Sequence, residues 1–82
     1  MQGTQELVER SIRMHLASRK QTQAWLAKQL GVTPFWISRR LSGEIPFDLE
    51  VLDRIATVFG IGIDRMIADG DALSADAKKV AS

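Results

Sequence analysis

Very little in this chain of 82 residues can do covalent chemistry. It has no Cys and one His, so thiolate nucleophiles, disulfides, thiolate metal sites and multi-His zinc sites are excluded. Asp48, Asp53 and Asp64 stand where helix caps and solvated helix faces are expected. No nucleophile–base pair or metal-ligand set can be assembled around them. Gly60-Ile61-Gly62 does not open a phosphate loop, because Arg65 occupies the third glycine's place and no strand precedes it. His15 falls inside an apolar helical arc and reads as a satisfied, half-buried His rather than a pH sensor. A binding module is expected rather than an enzyme, with no cofactor, no metal and no small-molecule ligand.

The chemistry that remains is charge. Net charge is only +1, but it is unevenly spread. Residues 10–43 carry Arg10, Arg13, Arg19, Lys20, Lys28, Arg39 and Arg40 and no acid, whereas residues 44–77 carry eight acids against Arg54 and Arg65. A basic block of this kind is a candidate polyanion-binding face; its bland alternative is a solvated surface with no partner.

These side chains need a scaffold, and the apolar spacing says it is helical. No window alternates with period two, and no Asn-Gly or Asp-Gly joins β-rich runs. The first helix spans about Thr4 to Ser18, with Leu7, Val8, Ile12, Met14 and Leu16 on one arc and Ser11 and His15 inside it. Thr22 caps a second helix that Gly31 ends in the left-handed conformation. Thr33 caps a third, with Pro34 at the first helical position, where its missing N–H costs nothing. That helix reaches Leu41 or Ser42 and stops at Gly43. Asp48 caps a fourth, Leu49 to Phe59, with Leu49, Leu52, Ile55, Ala56 and Phe59 as its buried stripe. A fifth, short helix runs from about Ile63 to Ala68, and Asp69-Gly70-Asp71 ends the compact part. The expected organisation is one all-α domain over residues 1–70 and a flexible or partner-dependent tail over residues 71–82. No apolar run approaches the roughly 18 residues of a membrane span, and no signal-peptide pattern opens the chain, so a cytoplasmic location is expected.

Residues 21–43 hold the informative pattern. Only Val32 and Thr33 separate Gly31 from Pro34, so the second and third helices must cross steeply: a helix-turn-helix. Ala27 is small where the helices approach, and Val32 plugs the turn. Ile37 and Leu41, one turn apart, anchor the third helix from below. Pro34, Phe35, Ser38, Arg39 and Ser42 then face outward, on a helix that a major groove is wide enough to admit.

At these residues the chain resembles the lambda-repressor-like (Cro and phage-repressor, XRE-type) DNA-binding domains. The resemblance is carried by Thr22-Gln23, Leu26-Ala27, Leu30-Gly31-Val32-Thr33, Ile37-Ser38-Arg39 and Gly43. Leu52, Ile55-Ala56, Phe59-Gly60-Ile61 and Met66-Ile67 resemble the family's later helices, and the likeness covers about residues 4–69. Arg40 and Leu41 depart from the commonest pattern, which is apolar then acidic. The resemblance implies a compact five-helix fold that binds double-stranded DNA. It implies Gln23 on a phosphate, Thr33, Pro34 and Phe35 nearest the bases, Ser38 and Arg39 one turn on, and Arg40 and Ser42 on phosphates. Phe35 either touches thymine methyls or packs on Trp25 or Trp36. Arg39 is either a bidentate guanine reader or a phosphate contact.

The expected function is a sequence-specific transcriptional regulator of Cro or repressor type, acting on a DNA operator. The alternative is an antitoxin that binds its own operator and, through its acidic part, a basic toxin. An interaction module without DNA binding is a third class, against which the acid-free block argues. A homodimer is expected, at least on DNA. One recognition helix reads too few base pairs, and Val51, Ile55, Val58, Ile61, Ile63 and Ile67 look more than a domain of this size can bury.

Overall fold

The structure, a computed structural model, describes the backbone of residues 3–81 and the side chains of residues 3–73. Five helices form an all-α fold: α1 Thr4–Ser18, α2 Gln23–Leu30, α3 Pro34–Leu41, α4 Leu49–Phe59 and α5 Ile63–Ala81. No strand occurs among the described residues.

Three helix starts follow from local side-chain chemistry. The Thr22 hydroxyl accepts from the Trp25 N–H at 3.0 Å, the Thr33 hydroxyl from the Trp36 N–H at 3.1 Å, and the Asp48 carboxylate from the Val51 N–H at 2.8 Å. Each satisfies a first-turn donor that the helix cannot pair internally. α1 has no such cap, its N-cap position being Gly3.

The core lies where all five helices converge. Val8, Ile12 and Leu16 of α1 meet Leu26, Ala27 and Leu30 of α2, and Ile37 and Leu41 of α3. Leu52, Ile55, Ala56 and Phe59 of α4, Met66 of α5 and the loop residue Phe47 complete it. Gln5 clasps that loop, accepting from the Phe47 N–H at 2.7 Å and donating to the Phe47 carbonyl at 3.0 Å.

α4 corrects one expectation. Leu49, assigned to the buried stripe, is 72 % exposed. On a helical wheel it sits about 70° from the centre of the arc made by Leu52, Ile55, Ala56 and Phe59. Phe47 is already buried just ahead of it.

α5 corrects another. It does not end near Ala68 but continues as helix to Ala81. Gly70 is buried inside it, and a Cβ there would overlap the Leu7 carbonyl of α1. The glycine permits a close crossing of α1 and α5 rather than stopping the helix. The expectation of a flexible or partner-dependent tail concerns residues whose side chains, from residue 74 on, lie outside those described.

His15 is buried as a fully partnered side chain. Its Nδ1 lies 2.6 Å from Arg19 Nη1 and its Nε2 lies 2.9 Å from Asp69 Oδ2. Arginine can only donate, so Nδ1 accepts and Nε2 carries the proton toward Asp69. The imidazole stacks on Phe59 with centroids 5.2 Å apart. One side chain thus ties α1 to α4 and α5.

Candidate nucleic-acid interface

α2 and α3 are held at a fixed angle by their connection. Gly31 has φ +72°, and the Val32 N–H reaches back to the Ala27 carbonyl at 2.9 Å. This left-handed closure turns the chain sharply, and Ala27, 1 % exposed, lets the helices approach. Val32 is half-buried against the core, as the plug of the turn.

Arginines from other elements secure the helix ends. Arg13 Nη2 donates to the Leu41 carbonyl at the end of α3, at 2.9 Å. Arg54 Nη2 donates to the Leu30 carbonyl at the end of α2, at 2.6 Å. Arg19 Nη2 does the same for Phe59 of α4, at 2.9 Å. Each places a cation where orphan carbonyls and the negative end of the helix dipole favour one. The uniform basic block read from the sequence is therefore divided, because Arg13 and Arg19 are engaged in structure.

With Ile37 and Leu41 buried below, α3 presents an outer face. Pro34, Ser38 and Ser42 are exposed there, and Phe35 is 68 % exposed. At that exposure Phe35 is not part of the core. The Arg39 guanidinium instead lies over the Phe35 ring, 5.4 Å from its centroid. Thr33, at the start of this face, has its hydroxyl oxygen occupied by the cap to Trp36. The Ser42 hydroxyl donates to the Arg39 carbonyl at 3.0 Å. Gln23, the first residue of α2, is half-buried.

Arg40 is turned aside from this face. Its guanidinium covers the Trp36 ring at 3.5 Å from the centroid, and its Nη1 donates to the Trp36 carbonyl at 3.1 Å. The departure from the family pattern has a physical outcome here: the cation shields a half-buried indole where an apolar residue is commoner.

Arg39 has a neighbour that in sequence is only part of the acidic stretch. Its Nη2 lies 3.3 Å from Glu44 Oε1. The signal was an acid placed directly after Gly43, which closes α3 with φ +85° and turns the following residue back toward the helix.

A family model described as a helix-turn-helix domain matches residues 6–66, most of the chain. The chain belongs to the helix-turn-helix domain family. This agrees with the lambda-repressor-like resemblance of its motif. Two crystal structures of the clp gene regulator ClgR of Corynebacterium glutamicum share the fold of this helix-turn-helix domain. One has a TM-score of 0.78 at 18 % identity, with 88 % of this chain and 94 % of that one covered. The other has a TM-score of 0.80 at 20 % identity, with 98 % of this chain and 88 % of that one covered. No curated protein matches the chain.

Among the described residues, no helix of the domain is long and apolar enough to cross a membrane, and no group of His and acidic residues is placed to hold a metal ion.

Proposed function

We propose that this helix-turn-helix domain is a sequence-specific double-stranded DNA-binding transcriptional regulator of Cro or repressor type, working in the cytoplasm. The observation that carries this reading is the outer face of α3. Pro34, Phe35 and Ser38 stand clear of the core on a helix anchored by Ile37 and Leu41, with Arg39 beside them. In this reading α3 enters the major groove, and Phe35 meets thymine methyls. Arg39 reads guanine, and Gln23 and Ser42 hold phosphates. Pro34 shapes the approach, having no N–H to give, while the Thr33 oxygen caps α3 and its O–H can still donate. Arg40 contributes field rather than a base contact. Similarity in fold to a gene regulator supports the reading.

The regulator acts as a homodimer on its operator. Ile55 is fully inside the monomer, as its place in the α4 stripe requires and so not available to a partner, but Val51, Val58, Ile61, Ile63 and Ile67 are only half-buried, and Leu49 is exposed. The test is binding selection on random double-stranded DNA, followed by native mass spectrometry of the protein on the selected site. A near-palindrome carrying two protomers is expected. Selection of no sequence overturns the function, and one protomer on an asymmetric site overturns the dimer.

The antitoxin reading draws on part of the surface offered for the dimer, an open apolar groove between Leu49 and Ile63 edged by Glu50 and Asp53. A basic protein co-purifying in fixed ratio would favour it.

A further inference from the structure

We propose that Glu44 is a positioning residue for Arg39: it aims the guanidinium at one base and makes Arg39 selective rather than merely cationic. This rests on the DNA-binding reading and adds to it the residue that sets specificity.

Glu44 is bound to Arg39 through side chain and backbone together. Its carboxylate meets Arg39 Nη2 at 3.3 Å, and its own N–H donates to the Arg39 carbonyl at 3.0 Å. The Ile45 N–H donates to the same carbonyl at 3.2 Å, so the turn after α3 is wrapped on Arg39. On the other side the guanidinium rests over Phe35. A long, flexible side chain is thereby confined between an anion and a ring.

The edge left open is the one that matters for reading. Arg39 Nε is buried and has no acceptor among the described residues, so the side-on edge of the guanidinium is closed. The end-on fork of Nη1 and Nη2 remains. The Glu44 carboxylate meets this fork at Nη2 alone, which leaves the Nη1 donors to a base. Two parallel donors suit the O6 and N7 acceptors of guanine.

Stability does not explain the pair. Both side chains are substantially exposed, 39 % and 60 %, and exposed ion pairs contribute little to folding. A carboxylate this close to the proposed groove face also repels phosphate, which disfavours DNA of every sequence. What Glu44 supplies is a limit on where Arg39 can go. Without it the guanidinium can swing to the nearest phosphate, a contact that carries no sequence information.

The experiment compares the full chain with E44A, E44Q, E44D, R39A and the E44A/R39A double variant. Each is titrated against the selected operator, every single-base change in it, and random-sequence DNA. E44A is expected to flatten preference at the same base position as R39A, by about fivefold or more, within the range one bidentate contact supplies. E44A is also expected to bind random DNA more tightly than the wild type, and E44D to retain most of the preference. In the double variant, E44A adds no further loss at that position. If R39A flattens a position and E44A does not, or E44A weakens all sequences equally, the proposal is overturned while the DNA-binding reading stands. If the wild type selects no sequence, that reading fails and takes this one with it. Glu44 is exposed, and E44Q preserves its size, so a folded variant without the charge is at hand.

Discussion

Arg13, on the first helix, donates to the carbonyl of Leu41, the last residue of α3, across 2.9 Å and 28 positions of sequence. A helix proposed to enter a groove is thus braced at its far end by a residue outside the motif. Removing the guanidinium leaves a helix-end carbonyl without its partner. Arg13→Ala is expected to lower stability by about 1–2 kcal/mol, the usual effect of losing a charged hydrogen bond at a helix C-terminus. It is also expected to weaken operator binding by more than the loss of another exposed cation of the basic block, as in Lys28→Ala. Chemical denaturation and operator titration check both. Equal losses from the two variants would show that Arg13 acts only through its charge.

Gly70 packs its backbone on the Leu7 carbonyl, so Gly70→Ala is expected to destabilise the fold by about 1–3 kcal/mol, although alanine is the better helix former. A higher melting temperature for the alanine variant would mean that α1 and α5 separate without cost.

Gly31 presents the opposite case, since a Cβ there meets nothing within 4 Å. The cost of Gly31→Val is purely in the backbone, at φ +72°, where a β-branched residue is strained. A loss of more than about 1 kcal/mol in thermal unfolding is expected. An unchanged melting temperature would contradict the left-handed turn.

Glu9 carries a pH signature. Partial burial pushes its carboxyl above the usual range, with Arg13 pulling it back and Glu6 adding to the rise. The folded state therefore holds this proton more tightly than the unfolded chain. Its contribution is fully present below the unfolded carboxylate range and lost as pH rises through the raised folded value. At neutral pH the wild type carries an ionised, partly desolvated Glu9, which Glu9→Gln removes. E9Q is expected to melt higher than the wild type at pH 7, with the gap closing as pH falls through the carboxylate range. A lower melting temperature for E9Q at pH 7 would mean that the ionised carboxylate is favourable where it sits.

Arg39→Ala is expected to weaken operator binding by about 1–3 kcal/mol and to relax preference at one base position. Equal losses on operator and random DNA would make Arg39 a phosphate contact.

The sequence by itself determined the parts whose causes are local. Thr22, Thr33 and Asp48 each bond an N–H three residues on, and Gly31 closes α2 within its own turn. The limits of α1 and α4, and the helix-turn-helix between Thr22 and Gly43, could therefore be read from spacing alone. Tertiary structure decided what long side chains and close backbones do. Arg13, Arg19 and Arg54 reach carbonyls 28, 40 and 24 positions away, and through the first two a block of charge that looks solvated in sequence is partly spent on helix ends. Gly70 looks like a helix stop until α1 lies against it. Leu49 has the residue type of a core position, but it lies at the edge of its stripe beyond a loop that Gln5 and Phe47 have already closed. Glu44 is one acid among many until the turn after α3 carries it back onto Arg39. Local hydrogen bonds depend on neighbours that the sequence states, whereas reach and close approach depend on where packing places the other helices.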